Sequence, residues 1–148
     1  EHPAESTGAS GGPDPSTLLP HRPPMLFVDR VVEWGEHGGL CRGRIDPDSC
    51  LAAGGGTVAA TAAIEFAAQA MAAVEMCRSG HDGPPRRGVL VAVSRTVASA
   101  SGFPVGAALT AEVGPTIWSP PMARSSARVT TGGHEILTCH LTTWESEV

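Results

Sequence analysis

The chain has 148 residues, of which 41 % are hydrophobic and 17 % charged, and its formal net charge is −5. A chain of this length forms one domain with a core of its own and needs no disulfide or metal to hold it together. All 10 basic residues are arginine, and lysine, tyrosine and asparagine are absent. This composition excludes a strongly basic nucleic-acid-binding protein and a core built on bulky aromatic side chains.

The cysteines and the apolar segments of the sequence predict the cellular compartment of the protein. No Cys-x-x-Cys pair occurs among the four cysteines, which are Cys41, Cys50, Cys77 and Cys139. Free thiols in a reducing compartment fit this pattern better than a disulfide framework. The longest apolar stretch, residues 59–74, is interrupted by Glu65 and Gln69, so no membrane span is predicted. Residues 1–17 lack the features of a secretory signal. We expect a cytoplasmic protein without a metal or cofactor.

The first part of the chain predicts a tail and two strands. Residues 1–17 are polar and rich in Gly, Pro and Ser, and we expect a disordered tail ahead of a single domain at 18–148. The β-branched and apolar run at 26–34 predicts a first strand, and residues 40–45 predict a second after a glycine-rich turn.

One long helix is predicted next. Residues 57–78 contain no glycine or proline, are rich in alanine, and carry apolar side chains at helical spacing. The glycines 54–56 precede this segment and Gly80 gives it a plausible stop. Small side chains would let a curved sheet wrap the helix closely.

The second half predicts four more strands. These strand-like runs are residues 88–97, 107–118, 122–131 and 134–144. Two strands, a long helix and four strands form an α+β pattern with one antiparallel sheet. One face of that sheet would hold the helix, and the other would face water or a second subunit.

Three segments carry a family resemblance. Residues 19–31, LPHRPPMLFVDRV, strongly resemble the stretch before the first long strand of the β-hydroxyacyl-acyl-carrier-protein dehydratases. Residues 64–70 resemble the Glu-x-x-Ala-Gln segment on the central helix of that family, and residues 103–106 are similar to its Pro-x-Gly turn. The resemblance spans residues 18–145 and implies the hot-dog fold, in which an antiparallel sheet wraps around one long central helix.

The chain departs from the family at one catalytic position. The family has a Gly-His-Phe-Pro-Gly loop ahead of the helix, and a gap-free alignment places Leu51 at its histidine and Gly54 at its closing glycine. No histidine occurs between His37 and His81. The lost histidine and the turn at 103–106 look similar to the polyene-associated branch of the family.

The resemblance implies a catalytic role for Glu65. Dehydration of a 3-hydroxyacyl thioester removes a proton from C2 and gives one to the leaving hydroxyl at C3. In the family the loop histidine is the base, and the helix carboxyl is the acid or orients water. A carboxylate among alanines is costly unless it is paired or functional, although Glu65 would face solvent if the helix were simply amphipathic. Gln69, one turn further on, lies on the same face and is predicted to orient Glu65.

Other residues receive weaker roles. Gly54, Gly55 and Gly56 lead into the predicted helix and would present backbone N–H groups to the thioester carbonyl. Arg86 and Arg87 could bind an acyl carrier protein and its phosphopantetheine phosphate, or lie in a solvated loop. Four motif residues are expected to have structural roles: His21, Arg22, Asp29 and Arg30. A hydrogen bond is expected of the histidine, and an ion-pair lock of the other three.

The remaining histidines and cysteines suggest no further chemistry. Cys139 and His140 would point to opposite faces of a strand and make a poor metal pair. His134 is assigned no role. Cys50 lies beside the vacated histidine position but has no identified base, so a nucleophilic role is not favoured.

The sequence and the resemblance together predict that the chain is a dehydratase subunit. In the family each active site takes its histidine from one subunit and its glutamate from the other. We therefore expect a heterodimer, in preference to a homodimer, in which Glu65 completes a site with a histidine-bearing partner and acts on acyl chains carried by phosphopantetheine in fatty-acid, polyene or polyketide synthesis. The alternatives are a hot-dog acyl thioesterase and a non-catalytic subunit that binds carrier or stabilises a partner.

Overall fold

The structure, a computed structural model, describes residues 12–52, 55–80 and 88–145. A short helix α1 (Pro15–Leu18) precedes the strands β1 (Val28–Gly35) and β2 (Gly38–Gly43). The strand β3 (Thr57–Ala59) and a 3-10 turn (Ala60–Ala62) lead into the long helix α2 (Ala63–Ser79). Six strands follow, namely β4 (Gly88–Ala98), β5 (Gly102–Pro104), β6 (Leu109–Val113), β7 (Ile117–Ser119), β8 (Met122–Thr131) and β9 (His134–Glu145).

An antiparallel sheet packs against one side of α2. Among the described residues it has seven strands, in the order β1-β2-β6-β8-β9-β4 with β7 beside β8, and a separate pair joins β3 to β5. The alternating burial along β8 shows that one face of the sheet meets the helix while the other is exposed. This is the predicted antiparallel sheet around one long helix. None of the helices in the described residues is both long and apolar enough to cross a membrane.

Small residues let the sheet approach α2 closely. A Cβ atom added at Gly43 on β2 would stand 1.9 Å from the carbonyl oxygen of Phe27 and 2.7 Å from the ring of Phe66. A Cβ atom at Gly39 would stand 2.8 Å from Val74. Phe66 and Val74 lie on the buried face of α2. The glycines of β2, together with the alanines of α2, therefore set the distance between helix and sheet.

This packing gives a testable stability prediction. Gly43→Ala is expected to lower the free energy of unfolding by about 1–3 kcal/mol, because the added methyl group overlaps the backbone of Phe27. Gly35→Ala is the matched control, since nothing lies within 4 Å of a Cβ atom at that position. Urea unfolding should leave the control within about 0.5 kcal/mol of the wild type. Equal stabilities for the two variants would contradict the close approach.

The helix begins later than the sequence predicts. Residues 57–62, predicted as its first turns, form β3 and the 3-10 turn. The prediction is wrong there because Val58 pairs with Phe103 on β5, and both side chains are buried. The segment 102–104, which lies between two predicted strands and overlaps the predicted turn at 103–106, is therefore a strand. A tertiary pairing overrides the local preference of an alanine-rich segment for helix.

Two other boundaries differ from prediction. The run 107–118 is two strands, β6 and β7, because Pro115 has no N–H to donate to a sheet and Gly114 instead donates to the carbonyl of Ser126 at 2.8 Å. At the N-terminus α1 lies within the segment predicted as a tail, and the Asp14 carboxylate caps it by accepting the N–H of Ser16 at 2.9 Å. Helical structure thus begins ahead of Leu18.

The cysteines are free thiols, as predicted. Cys41 and Cys139 are buried, Cys77 is partly buried and Cys50 is exposed. Burial raises the pKa of Cys41 to about 12 and that of Cys77 to about 11, which leaves these thiols protonated and unreactive. Cys139 is buried and its neighbour His140 is exposed, so the two side chains point to opposite faces of β9 as expected.

Candidate active site

A largely apolar pocket of about 310 Å³ lies along one face of α2. The segment after α1 forms one wall with Pro20 and His21, and the first residues of β4 form another. Ala68 and Ala72 of α2 lie between Glu65 and Glu75, so alanines line the middle of the pocket and a carboxylate stands towards each end of that helix face.

Glu65 lies in the first turn of α2, where the helix dipole favours a negative charge. Its Oε1 accepts a hydrogen bond from Nε2 of Gln69 at 3.1 Å and lies 3.5 Å from Nε2 of His21. Among the described residues its Oε2 has no hydrogen-bond partner, and the side chain is 34 % exposed. Glu65 is therefore held through one oxygen, which leaves the other available to a molecule in the pocket.

The contacts of Glu65 favour its ionised form. Hydrogen bonding from His21 is the largest cause that lowers the pKa of Glu65 below its usual value. Partial burial opposes this effect, and the hydrogen bond from Gln69 adds to it. The carboxylate is thus the preferred state around neutral pH.

Gln69 is fixed by the backbone ahead of β1. The side chain is 1 % exposed. Its Oε1 accepts the N–H of Phe27 at 2.8 Å, and its Nε2 donates to the carbonyl of Met25 at 2.7 Å as well as to Glu65. The contact with Glu65 predicted from the one-turn spacing is present. The anchoring of the segment at 25–27 has no signal in the sequence.

His21 lies in the pocket beside Glu65. The sequence predicts only a structural role for His21, because the corresponding histidine of the resembled family motif is typically not the catalytic one. Leu19, fully buried, anchors the segment, and Arg22 donates to the carbonyls of Leu19 and His21 at 2.8 and 2.7 Å. These contacts fix the backbone that carries His21. The histidine and the glutamate of the pocket therefore come from separate parts of the chain.

A second charged pair lies further along α2. Glu75 is 9 % exposed, accepts a hydrogen bond from Nε of Arg78 at 2.9 Å, and accepts another from Nε1 of Trp118 at 3.3 Å. The hydrogen bond to Glu75 raises the pKa of Arg78. The i,i+3 spacing of Glu75 and Arg78 signals this pair in the sequence, whereas the contact with Trp118 depends on the tertiary structure.

The chain is similar to a protein family and to several solved structures. A family model described as ApeP dehydratase, ApeP-like, matches residues 13–147. The chain belongs to the ApeP-like dehydratase family. Among curated proteins, none matches the chain.

Solved structures share the fold of this ApeP-like chain. The dehydratase heterocomplex ApeI:P from Xenorhabdus doucetiae matches with a TM-score of 0.79 at 18 % identity, over 92 % of this chain and 93 % of that chain. AziG from S. sahachiroi matches with a TM-score of 0.57 at 12 % identity, over 80 % and 91 %. A hypothetical thioesterase from Streptococcus pneumoniae, solved with coenzyme A, matches with 0.57 at 9 % identity, over 79 % and 84 %. These matches confirm the hot-dog fold.

In the ApeP-like chain the described residues of the loop ahead of α2 do not line the pocket. Leu51, at the predicted histidine position, is partly buried and packs against the core, and Cys50 is exposed. Neither residue lines the pocket that holds Glu65. Gly55 and Gly56 are exposed, and β3 with the 3-10 turn separates them from α2. The prediction that these glycines lead directly into the helix is therefore wrong.

The predicted ion-pair lock is also wrong. No ion pair joins Arg22, Asp29 and Arg30 in the residues that the structure describes, because Arg22 is turned to backbone carbonyls while Asp29 and Arg30 are exposed on β1. Three further predicted residues lie outside the described residues, and their roles stay predictions: Gly54, Arg86 and Arg87.

Proposed function

We propose that the chain is the glutamate-bearing subunit of a 3-hydroxyacyl-thioester dehydratase. Glu65 would work in a composite active site with the loop histidine of a partner subunit, on acyl chains that an acyl carrier protein presents in polyene, polyketide or fatty-acid synthesis. The observation that carries the proposal is Glu65 itself, a carboxylate in a largely apolar pocket whose Oε2 has no hydrogen-bond partner in the described part of the chain. The family membership supports the dehydratase chemistry.

The pocket contains one of the two proton-transfer groups that this reaction needs. Elimination of water needs one group that takes the C2 proton and another that gives a proton to the leaving hydroxyl. Glu65 supplies one such group, and the alanines beside it leave room for an acyl chain. Since Leu51 stands where the loop histidine belongs, the second group has to come from elsewhere.

The exposed edge of the sheet supports a partner at this pocket. Within the part of the chain that the structure describes, β4 pairs with β9 on one side only, and its exposed side chains include Val89 and Val97, at 61 % and 60 % exposure. An apolar edge strand is a hazard for aggregation unless another chain covers it. The first residues of β4 also line the pocket. A subunit that covered β4 would therefore border the site of Glu65.

The heterodimer is preferred to a homodimer on two grounds. The structure matched at a TM-score of 0.79 is a dehydratase heterocomplex. A homodimer of this chain would place Leu51 at both predicted histidine positions. A heterodimer with a histidine-bearing dehydratase subunit would supply the missing group.

The proposal predicts that dehydration depends on the partner. We expect the purified chain alone to convert 3-hydroxyacyl chains on an acyl carrier protein at a rate about 100- to 10,000-fold below that of the co-expressed complex, because one acid–base group is missing. Enoyl product measured by mass spectrometry gives the rate, and size-exclusion chromatography with mass determination gives the composition. The partner alone is the control.

Other outcomes would contradict the composite site. Full activity of the chain alone would show that it needs no partner histidine. Release of the free acid from an acyl-thioester panel, without enoyl product, would indicate a thioesterase. Full activity of a partner purified alone would indicate that the chain is a stabilising or carrier-binding subunit.

A further inference from the structure

The pocket along α2 has a carboxylate towards each end and an apolar stretch between them. Glu65 and Glu75 both line the pocket and lie ten positions apart on α2, which corresponds to about 15 Å along the helix axis. Ala68, Met71 and Ala72 line the stretch between the two carboxylates. Small or flexible apolar side chains therefore connect the reacting end of the pocket to its far end.

This stretch suits the alkyl part of an acyl group and not a polar chain. Gln69 is the one polar side chain of α2 that lines it, and its amide is already bonded to the backbone ahead of β1 and to Glu65. The amide groups of a pantetheine arm would need hydrogen-bond partners on leaving water, and α2 offers none between Glu65 and Glu75. An alkyl chain needs no such partner, and each methylene group it buries raises its affinity about fourfold.

Glu75 is held in place by both the helix and the sheet. The guanidinium of Arg78 donates to both of its carboxylate oxygens, with Nε at 2.9 Å from Oε2, and Nε1 of Trp118 donates to Oε1 at 3.3 Å. Trp118 belongs to β7 and stands opposite Ala123 of β8, which also lines the pocket. These bonds keep Glu75 at 9 % exposure, and it cannot turn out to solvent without breaking its bond to the sheet.

A carboxylate held in this way resists the entry of an alkyl chain. The chain would cover the part of Glu75 that water still reaches, and it would offer no hydrogen bond in return. Burial of a charge without such compensation is costly. Methylene groups that extend past Ala72 to Glu75 therefore lose the favourable effect that burial beside the alanines gives them.

We propose that Glu75, held by Arg78 and Trp118, marks the end of the acyl-binding stretch and limits the length of the alkyl chain that the enzyme accepts. The inference rests on the proposed dehydratase function, with the reacting carbons C2 and C3 of the substrate at Glu65. An extended chain advances about 1.2 Å per bond, so about 15 Å holds about a dozen carbons beyond C3. Ala72 keeps the stretch open, and Glu75 closes it.

The first test measures kcat/KM of the complex for straight-chain 3-hydroxyacyl groups on the carrier protein, lengthened two carbons at a time. In the wild type we expect kcat/KM to rise with length up to the limit and then to fall by at least about tenfold. Glu75→Ala should move the limit to longer chains, and Ala72→Leu should move it to shorter ones. A general loss of stability would instead lower the rate for every length alike.

Matched controls are Glu33→Ala and Ala108→Leu, the same exchanges at exposed positions outside the lining of the pocket. Both should keep the wild-type limit. Glu75→Leu serves if Glu75→Ala fails to fold, because an apolar side chain of similar volume often replaces a buried ionic group without loss of stability and the exposed Arg78 can turn to water. In Glu75→Leu the fall in kcat/KM for longer chains should disappear.

The second test measures binding without the reaction. Amide analogues of saturated acyl-pantetheines can neither lose water nor be hydrolysed as thioesters. Isothermal titration of the complex with a series of these analogues gives the affinity as a function of chain length. The affinity should show the same limit as kcat/KM, and the limit should shift in the same directions in Glu75→Ala and Ala72→Leu.

Each result bears on a separate claim. An unchanged limit in Glu75→Ala and Glu75→Leu would overturn the role of Glu75. An unchanged limit in Ala72→Leu would show that the alkyl chain does not run along α2 and would overturn the inference as a whole. A length limit in binding without any enoyl product would contradict the proposed function and support the length limit. Enoyl product formed equally well from all chain lengths would contradict the length limit alone.

Discussion

Replacing Glu65 with glutamine is expected to lower the dehydration rate of the complex by about 100- to 10,000-fold. Glutamine has the same shape, and its carbonyl oxygen can still accept from Gln69, so the pocket keeps its form. What the variant loses is a group that can take or give a proton at Oε2. The rate is measured as enoyl product formed on the acyl carrier protein, under single-turnover conditions so that product release does not hide the chemical step.

A matched control separates the loss of the acid–base group from the loss of one negative charge. Glu33→Gln removes one negative charge from an exposed position on β1, outside the pocket of Glu65. It is expected to leave the rate near that of the wild type. Thermal unfolding and co-purification should show that both variants fold and bind the partner. A Glu65→Gln complex with the wild-type rate would contradict any acid–base role of Glu65.

Replacing Gln69 with leucine is expected to lower the free energy of unfolding by about 2–5 kcal/mol. The volume stays similar, but the N–H of Phe27 and the carbonyl of Met25 lose their partner in the interior. Each buried backbone group left without a hydrogen bond costs about 1–3 kcal/mol. Urea unfolding of the purified chain measures the difference, and the slope of the transition shows whether the unfolded ensemble has changed.

A second variant at position 69 separates the contributions of the individual hydrogen bonds to this loss of stability. Gln69→Glu keeps an oxygen for the Phe27 N–H but removes the donor to Met25 and Glu65, and it places a second carboxylate beside Glu65. We expect it to be destabilising at neutral pH and less so at low pH, where one carboxyl is protonated. A Gln69→Leu chain within about 0.5 kcal/mol of the wild type would show that the segment before β1 does not depend on this anchor.

Local patterns predict the long elements of the fold well. Along 122–131 small or apolar residues alternate with mostly polar ones, which predicts a strand and matches the alternating burial of β8, because a strand repeats every two residues. The short strands β3 and β5 cannot be predicted from such a pattern. Each has three residues, too few for a period, and they form because Val58 and Phe103 pair across the two strands with both side chains buried.

In the candidate site too, contacts within the helix are predictable from the sequence and contacts between distant segments are not. Glu65 and Gln69 are one helical turn apart, so any helix through residues 65–69 brings them together, and their contact is predictable. His21 reaches Glu65 only because the buried Leu19 anchors the segment after α1 to the core. No spacing in the sequence encodes that approach.

The sequence alone determines the family, the α+β class, the helix that bears Glu65 and Gln69, and the absence of a histidine at position 51, since each is carried by motifs or periodicities within a few turns of chain. The tertiary structure alone decides that His21 stands at Glu65, that Gln69 anchors the backbone at 25–27, and that the pocket opens beside β4. The physical reason is that these contacts form between segments remote in sequence, and only the packing of α2 against the sheet brings them within hydrogen-bonding distance.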